Sequence, residues 1–85
     1  MDISKDEQRV LHALAKGGRI HAAKTSAGRI TGVELITREG WDMPGISVVI
    51  FRKLKAKRAL KSQQGGPYRI TRRGLELVRS QPDNR

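Results

Sequence analysis

The side chains of this chain that could do chemistry are mainly cations, and half of them fall in one segment. The stretch FRKLKAKRALKS, residues 51–62, holds six Lys or Arg and no acid. Residues 43–75 contain nine basic residues and no Asp or Glu: Arg52, Lys53, Lys55, Lys57, Arg58, Lys61, Arg69, Arg72 and Arg73. The formal net charge of the whole chain is +10, so this segment supplies nearly all of it. Charge concentrated in this way predicts a surface that attracts an anionic partner, and the alternative is a helix face that only contacts solvent.

Other kinds of chemistry find few residues. The chain has no Cys, which excludes disulfides, thiolate metal ligands and a Cys nucleophile. Its two histidines, His12 and His21, fall on separate predicted elements and face outward, which is not the pattern of a metal site. Ser47 and Ser62 have no evident His partner. We therefore predict a protein that is not an enzyme, with no catalytic residues, no metal and no cofactor.

The length of 85 residues predicts a single domain, which we place at residues 1–80, followed by a polar tail at residues 81–85. Aromatic residues make up only 4%, so the core must be aliphatic. No apolar run approaches the roughly 18 residues that cross a bilayer, and the N-terminus lacks an apolar signal core. These features predict a cytoplasmic protein with no membrane partner.

The segment ISKDEQRVLHALAKGG has the features of an amphipathic helix. Ser4 and Glu7 have the spacing of a capping box, in which each side chain accepts a hydrogen bond from the backbone of the other residue. Four apolar residues then form one stripe at helical spacing: Ile3, Val10, Leu11 and Leu14. Two glycines follow Lys16 and are typical of a helix end. We predict a helix over residues 4–16.

The next segment, RIHAAKTSAGRITGVELIT, predicts a β-hairpin. Two short runs, residues 19–25 and 29–37, flank the loop SAG, whose glycine can supply the positive φ of a short turn. The second run does not alternate cleanly, because Ile30 is out of phase with Val33. A β-bulge at Gly32 would return both side chains to one face.

Trp41 lies in the connecting loop REGWDMPG and is the only Trp of the chain. A lone Trp carries a large share of a small core, so we expect it to fill the gap between the first hairpin and the second helix. The alternative is an exposed anchor for a partner, because Trp is enriched at interface hot spots.

The second half of the chain predicts a helix over residues 46–59, a hairpin and a last helix over residues 72–80. Four apolar residues form the buried stripe of the second helix: Ile46, Ile50, Phe51 and Leu54. Arg52, Lys55 and Ala59 point away from that stripe. The hairpin loop falls near residues 63–67, with Tyr68 facing the core and Arg69 facing outward. Thr71 can cap the last helix.

The resulting order is helix, hairpin, helix, hairpin, helix in an α+β domain. A basic helix followed by a short two-stranded wing and a closing helix is typical of a winged helix, in which the helix enters the major groove and the wing touches phosphates. We predict that six cations contact a partner or nucleic acid: Arg52, Lys55, Arg58, Arg69, Arg72 and Arg73.

Five segments in the same order and spacing give a family resemblance: EQRVLHALAKGGRI, TREGW, FRKLKAKRALKS, PYRIT and QPDNR. Together they resemble the YjhX family of small bacterial proteins, over nearly the whole chain. The resemblance implies the toxin of a toxin–antitoxin pair, with an antitoxin protein as one partner. It also implies inhibition of bacterial DNA topoisomerase I by direct binding.

Three functions therefore stay open: a topoisomerase inhibitor, a winged-helix DNA-binding regulator, and a basic protein associated with RNA or the ribosome. A sequence-specific reader usually presents Asn, Gln, Ser or Arg to base edges. The outward positions of the second helix are Arg52, Lys55 and Ala59, with Val48 beside them. They carry charge but no amide, which favours contact with carboxylates or phosphates. We accordingly expect a docking surface that meets either an acidic protein or, without sequence specificity, the DNA backbone.

Overall fold

The computed structural model describes residues 3–79. Within this range, three helices and five strands follow in chain order: α1 (Lys5–Ala15), β1 (Arg19–Lys24), β2 (Ile30–Ile36), β3 (Asp42–Met43), α2 (Val48–Ala56), β4 (Leu60–Ser62), β5 (Tyr68–Ile70) and α3 (Arg72–Arg79). The predicted α+β class is confirmed. The predicted order differs at β3, where a loop was expected. The predicted tail at 81–85, and residue 80 at the end of the predicted last helix, lie outside the described residues.

The two predicted hairpins join into one antiparallel sheet with the strand order β3-β2-β1-β5-β4. The connection is made by β1 and β5, where Ile20 pairs with Tyr68. The bulge predicted at Gly32 lies beside it: Ala23 pairs with Gly32 and Lys24 pairs with Ile30, so Thr31 is the extra residue. An isolated two-stranded hairpin is marginal in water, so this joining stabilises both hairpins.

The core is built where the helices pack on the sheet. Among residues 3–79, the largest side chains that are completely buried are those of Phe51, Leu11, Ile20, Leu35 and Leu54. All four residues of the predicted α1 stripe are buried, as expected. Phe51 of α2 meets Tyr68 of β5 edge to face, with ring centroids 4.8 Å apart. This contact confirms the predicted core position of Tyr68.

The helix starts follow their caps. The Glu7 N–H donates to Ser4 Oγ at 3.1 Å and the Ser4 N–H donates to Glu7 Oε1 at 2.9 Å, so the predicted capping box is confirmed. α2 begins later than predicted, because the Ser47 hydroxyl accepts from the Ile50 N–H at 3.2 Å and caps the helix there. The Gly74 N–H donates to Thr71 Oγ1 at 3.0 Å, which confirms the predicted cap of α3.

The end of α2 corrects one prediction about its outward face. The helix stops at Ala56, and the chain turns at Arg58, which has a φ of 60°. The turn carries Ala59 into the core, where it is completely buried. Ala59 was predicted to point outward because the helical periodicity was extended three residues too far.

Candidate functional site

Eight of the nine cations in residues 43–75 are exposed, and we call this set the basic surface: Arg52, Lys53, Lys55, Arg58, Lys61, Arg69, Arg72 and Arg73. The six predicted contact residues all belong to it. The ninth cation, Lys57, is withdrawn from the surface, because its Nζ lies 2.6 Å from Oε2 of the buried Glu7. That the basic surface contacts a partner stays a prediction. The surface has three parts.

The first part is the exposed side of α2, which carries Arg52, Lys53 and Lys55. The Lys55 ammonium lies over the ring of Tyr68, 5.6 Å from its centroid. Such a cation–π contact contributes about 0.5–1 kcal/mol at an exposed site. The ring of Tyr68, on β5, thus contacts both Lys55 and Phe51 of α2, and these contacts hold α2 against β5.

The second part is the outer face of the β4–β5 hairpin. Lys61 and Arg69 are direct cross-strand partners, and both are exposed. Because side chains alternate along a strand, Arg69 points to the face opposite that of Tyr68. Arg69 and Lys61 therefore lie across the hairpin from α2. Like charges placed directly opposite each other destabilise a strand pair, and these two repel unless an anion lies between them.

The third part is the junction of α2 and α3. Thr71 Oγ1 donates to the Arg58 carbonyl at 2.7 Å, and the Thr71 N–H donates to the Ala59 carbonyl at 2.9 Å. These bonds bring the end of α2 beside the first turn of α3, which contains Arg72 and Arg73. The partial positive charge of a helix N-terminus adds to theirs. Arg73 pairs with Glu76 at 3.6 Å, but an exposed pair of this kind stabilises little.

Glu7 anchors the other side of this junction. Burial alone would raise the pKa of Glu7, but hydrogen bonds from Lys57 and Ser4, together with the Lys57 charge, outweigh it and lower the pKa below its ordinary value. The carboxylate therefore stays ionised. It accepts the Ser4 N–H bond of the capping box and pairs with Lys57, which links α1 to the end of α2. Sequence reasoning missed this pair, because its two residues are 50 positions apart.

The expectation that Trp41 fills the core is wrong, because its side chain is 72% exposed. α2 packs directly on β2, and Phe51 and Leu35 are completely buried, so no gap is left for an indole. The backbone of Trp41 instead closes the β2–β3 turn: its N–H donates to Thr37 Oγ1 at 3.1 Å and its carbonyl accepts from the Thr37 N–H at 2.8 Å. A role for Trp41 as a partner anchor stays a prediction.

The serines considered as nucleophiles have structural hydrogen bonds. Ser47 caps α2, and the Ser62 hydroxyl donates to the Gly66 carbonyl at 2.7 Å across the β4–β5 loop. Among residues 3–79, no group of three or more His, Cys, Asp or Glu side chains is placed to hold a metal ion. No helix within the described part of the chain has the length and apolar character needed to cross a membrane.

A groove lined by α1 and the β2–β3 turn was not predicted from the sequence. It has a volume of about 610 Å³ and lies between α1 and the β2–β3 turn, and we call it the α1 groove. Ten residues line it: Lys5, Gln8, Arg9, His12, Ala13, Lys16, Thr37, Arg38, Glu39 and Met43. One wall of the groove follows a pattern that is visible in the sequence, because four of its residues share one stripe of α1: Lys5, Arg9, His12 and Lys16.

Comparison with known proteins gives full-length matches. A family model described as "Putative toxin of bacterial toxin-antitoxin pair" matches residues 1–85. The UPF0386 protein of Chelativorans sp. (strain BNC1) is 59% identical over 85 residues, which cover all of both chains. The UPF0386 protein of Hyphomonas neptunium (strain ATCC 15444) is 56% identical over 84 residues, which cover 99% of each chain. A UPF0386 protein of Rhizobium etli (strain CIAT 652) is 54% identical over all of both chains. No solved structure matches the chain.

Proposed function

We propose, since the chain belongs to the YjhX family of bacterial toxin–antitoxin pairs, that it is a toxin that binds DNA topoisomerase I and inhibits it through the basic surface. The target enzyme follows from the family resemblance. The observation that carries the role of the surface is that eight cations are exposed on consecutive elements while residues 43–75 supply no acid to neutralise them. Such a surface raises the rate of encounter with an acidic protein.

The chemistry of the surface favours charge contact over base reading. α2 presents Arg52, Lys53 and Lys55, and Ala59 is withdrawn into the core. None of these residues is an Asn or Gln, whose side-chain amide can form two hydrogen bonds with adenine. We therefore expect naked DNA to bind weakly and without sequence preference. If about five cations meet phosphates, the log–log salt slope is near −4.5, which is a loss of about 500-fold between 50 and 200 mM salt.

A DNA-binding regulator of the winged-helix type is the second candidate, because α2 is followed by the β4–β5 hairpin and α3 in the order of that fold. Fold alone does not fix function. The two candidates differ in one measurable property. A regulator forms a tight and sequence-selective complex with duplex DNA at physiological salt, whereas the inhibitor binds the enzyme under the same conditions.

The test is a supercoiled-plasmid relaxation assay with DNA topoisomerase I, run beside a gel shift with DNA alone. Arg52→Glu/Lys55→Glu reverses two exposed charges of α2 and should leave the fold intact, which circular dichroism checks. We expect inhibition to fall sharply, because attraction at the docking surface becomes repulsion. The matched control is Lys24→Glu/Arg29→Glu, which reverses two exposed charges on the first hairpin and should inhibit as the parent does.

Two results would count against the proposal. Full inhibition by the Arg52→Glu/Lys55→Glu variant would remove α2 from the contact. A parent protein that leaves relaxation unchanged but shifts one DNA sequence selectively would instead support the regulator.

A further inference from the structure

The α1 groove shares no residue with the basic surface, and it is also basic. Lys5, Arg9, His12 and Lys16 lie on one stripe of α1, which extends about 16 Å at the rise of an α-helix. Arg38 supplies a cation from the opposite wall, and among residues 3–79 the one acid that lines the groove is Glu39. With His12 neutral, four cations and one acid leave a net charge of +3. The groove therefore attracts an anionic occupant.

The floor of the groove has a different character from its walls. Ala13 and Met43, both partly buried, add apolar surface between the cations. Apolar surface gains nothing from a phosphate or a carboxylate, but it gains from an apolar side chain laid on it, and Met adapts its shape to such a contact. Cations around an apolar floor thus suit an occupant that carries both carboxylates and an apolar side chain.

Both walls are held in place by contacts within the protein. A Cβ on Gly17 would lie 3.2 Å from Arg38 Cδ, so the Arg38 stem packs on the glycine at the end of α1. A Cβ on Gly45 would lie 3.3 Å from Arg9 Nη2, so that guanidinium rests against the chain that follows β3. The turn itself is closed by hydrogen bonds between Thr37 and Trp41 and by the Gly40 N–H donating to the Thr37 carbonyl at 2.9 Å. Preorganised cations lose less entropy on binding.

We propose that the α1 groove is the docking site for an acidic segment with an apolar anchor residue, contributed by the antitoxin of the pair. The antitoxin as source rests on the proposed function, but the chemistry of the occupant rests on the groove. Acidic segments are commonly recognised by Arg clusters, and apolar anchors in a groove add the specificity that charge alone lacks. Since the groove and the basic surface are separate residue sets, an antitoxin seated here can meet the toxin before or after the toxin meets its target.

The test is an amide NMR titration of the isotope-labelled protein with a short peptide of alternating Glu and Leu. We expect shifts centred on α1, on residues 37–39 and on Met43. A peptide with Ser in place of each Leu should bind at least about tenfold more weakly, because it leaves the apolar floor uncovered. Arg9→Glu/Arg38→Glu should weaken the Glu/Leu peptide by about tenfold or more, and Arg52→Glu/Lys55→Glu, which lies outside the groove, should not.

Lys5→Glu/Lys16→Glu is the second groove variant, used in case the packing of Arg38 on Gly17 makes the first variant unstable. Three outcomes overturn the proposal. The first is that the peptide shifts amides centred on residues 52–73, and the second is that a duplex oligonucleotide shifts the groove amides more than the peptide does. The third is that the groove amides shift with protein concentration in the absence of peptide, which would show a second copy of the chain in the groove. No topoisomerase enters this titration. Its failure is therefore distinguishable from failure of the relaxation assay.

Discussion

Arg58 holds at the end of α2 the position that Gly17 holds at the end of α1. Both helix ends have the same two backbone hydrogen bonds. After α1, the Gly17 N–H donates to the Leu14 carbonyl and the Gly18 N–H donates to the Ala13 carbonyl. After α2, the Arg58 N–H donates to the Lys55 carbonyl and the Ala59 N–H donates to the Leu54 carbonyl. Both helices therefore end in a Schellman motif, whose key residue has a positive φ. Glycine adopts that conformation without penalty, whereas Arg58 meets a steric cost. α2 thus keeps a cation where glycine would be the more stable choice.

Arg58→Gly should accordingly stabilise the fold while weakening the proposed inhibition. Relief of the left-handed conformation is worth about 1–2 kcal/mol, and the greater freedom of glycine in the unfolded chain offsets about 0.4–1 kcal/mol of it. We expect a net gain of about 0.5–1 kcal/mol in the free energy of unfolding, measured by urea denaturation. The relaxation assay should show weaker inhibition, because the basic surface loses a charge.

Arg58→Ala separates the two effects. It removes the charge but keeps a Cβ at a positive φ, so inhibition should weaken without a gain in stability. If Arg58→Gly is no more stable than Arg58→Ala, the turn at residue 58 is not strained.

The success of sequence reasoning depended on how local each signal was. α1 could be predicted because its cap, its apolar stripe and its glycine stop lie within one short segment. β3 could not, because its two residues form a strand by pairing with Leu35 and Ile36 of β2, which no local pattern announces. The end of α2 was missed for another reason: Arg58 at a positive φ has no sequence signature, so the helical pattern ran on to Ala59.

The same distinction applies to the candidate site. The basic surface could be found by counting charges, because its residues fall in one segment that contains no acid. The α1 groove could not, because its walls come from α1 and from residues 37–39, which meet only in the fold. Acids elsewhere in the first half of the chain also balance its cations in sequence, and one of them, Glu7, is buried against Lys57.

Gly74→Ala should destabilise the protein although alanine is the better helix former. A Cβ at this position would lie 2.6 Å from the Ala59 carbonyl oxygen and from Ile70 Cγ1, so α3 would have to move away from the turn that follows α2 and from β5. We expect a loss of about 1–3 kcal/mol by urea denaturation, more than the roughly 1 kcal/mol gained in helix propensity. Gly32→Ala is the control, because no atom in the described part of the chain lies within 4 Å of its Cβ position. Equal stability of the two variants would contradict close packing at Gly74.

Acid should destabilise the protein through Glu7. Because the pKa of Glu7 is lower in the folded than in the unfolded protein, its stabilisation is present above the unfolded pKa and is lost as the pH falls through the folded pKa. Glu7→Gln should flatten this dependence and should cost about 1–3 kcal/mol at neutral pH, because the charge-assisted hydrogen bond between Lys57 and Glu7 is lost. Denaturation curves from pH 7 to below pH 4 measure both effects. Glu34→Gln, at an exposed side chain, should follow the parent curve.

Trp41→Ala should change the free energy of unfolding by less than about 0.5 kcal/mol, because the side chain is 72% exposed. Phe51→Ala, at a completely buried ring, should cost about 3–5 kcal/mol. Trp41 is the only Trp of the chain, so its fluorescence reports on this site alone. Its emission should resemble that of a solvated indole and move little on unfolding. A strong blue shift in the folded protein would place the ring in an apolar contact.

Lys61→Glu should stabilise the β4–β5 hairpin and weaken DNA binding at once. The change turns the repulsion between Lys61 and Arg69 into attraction, worth about 0.2–1 kcal/mol for a cross-strand pair. If the basic surface meets phosphates as proposed and Lys61 is one of the contacts, the same change removes that contact, and the salt slope of DNA binding should become shallower by about 0.9. Urea denaturation and gel shifts at several salt concentrations measure the two effects.

The double variant Lys61→Glu/Arg69→Glu decides whether the pair itself is responsible. Two glutamates repel as the two cations did, so stability should return to that of the parent, while the salt slope should become shallower by about 1.8. A double variant that keeps the stability gain of Lys61→Glu would mean that the cations do not repel in the parent. An unchanged slope in both variants would remove the outer face of the hairpin from the DNA contact, and α2 with the α2–α3 junction would then carry it alone.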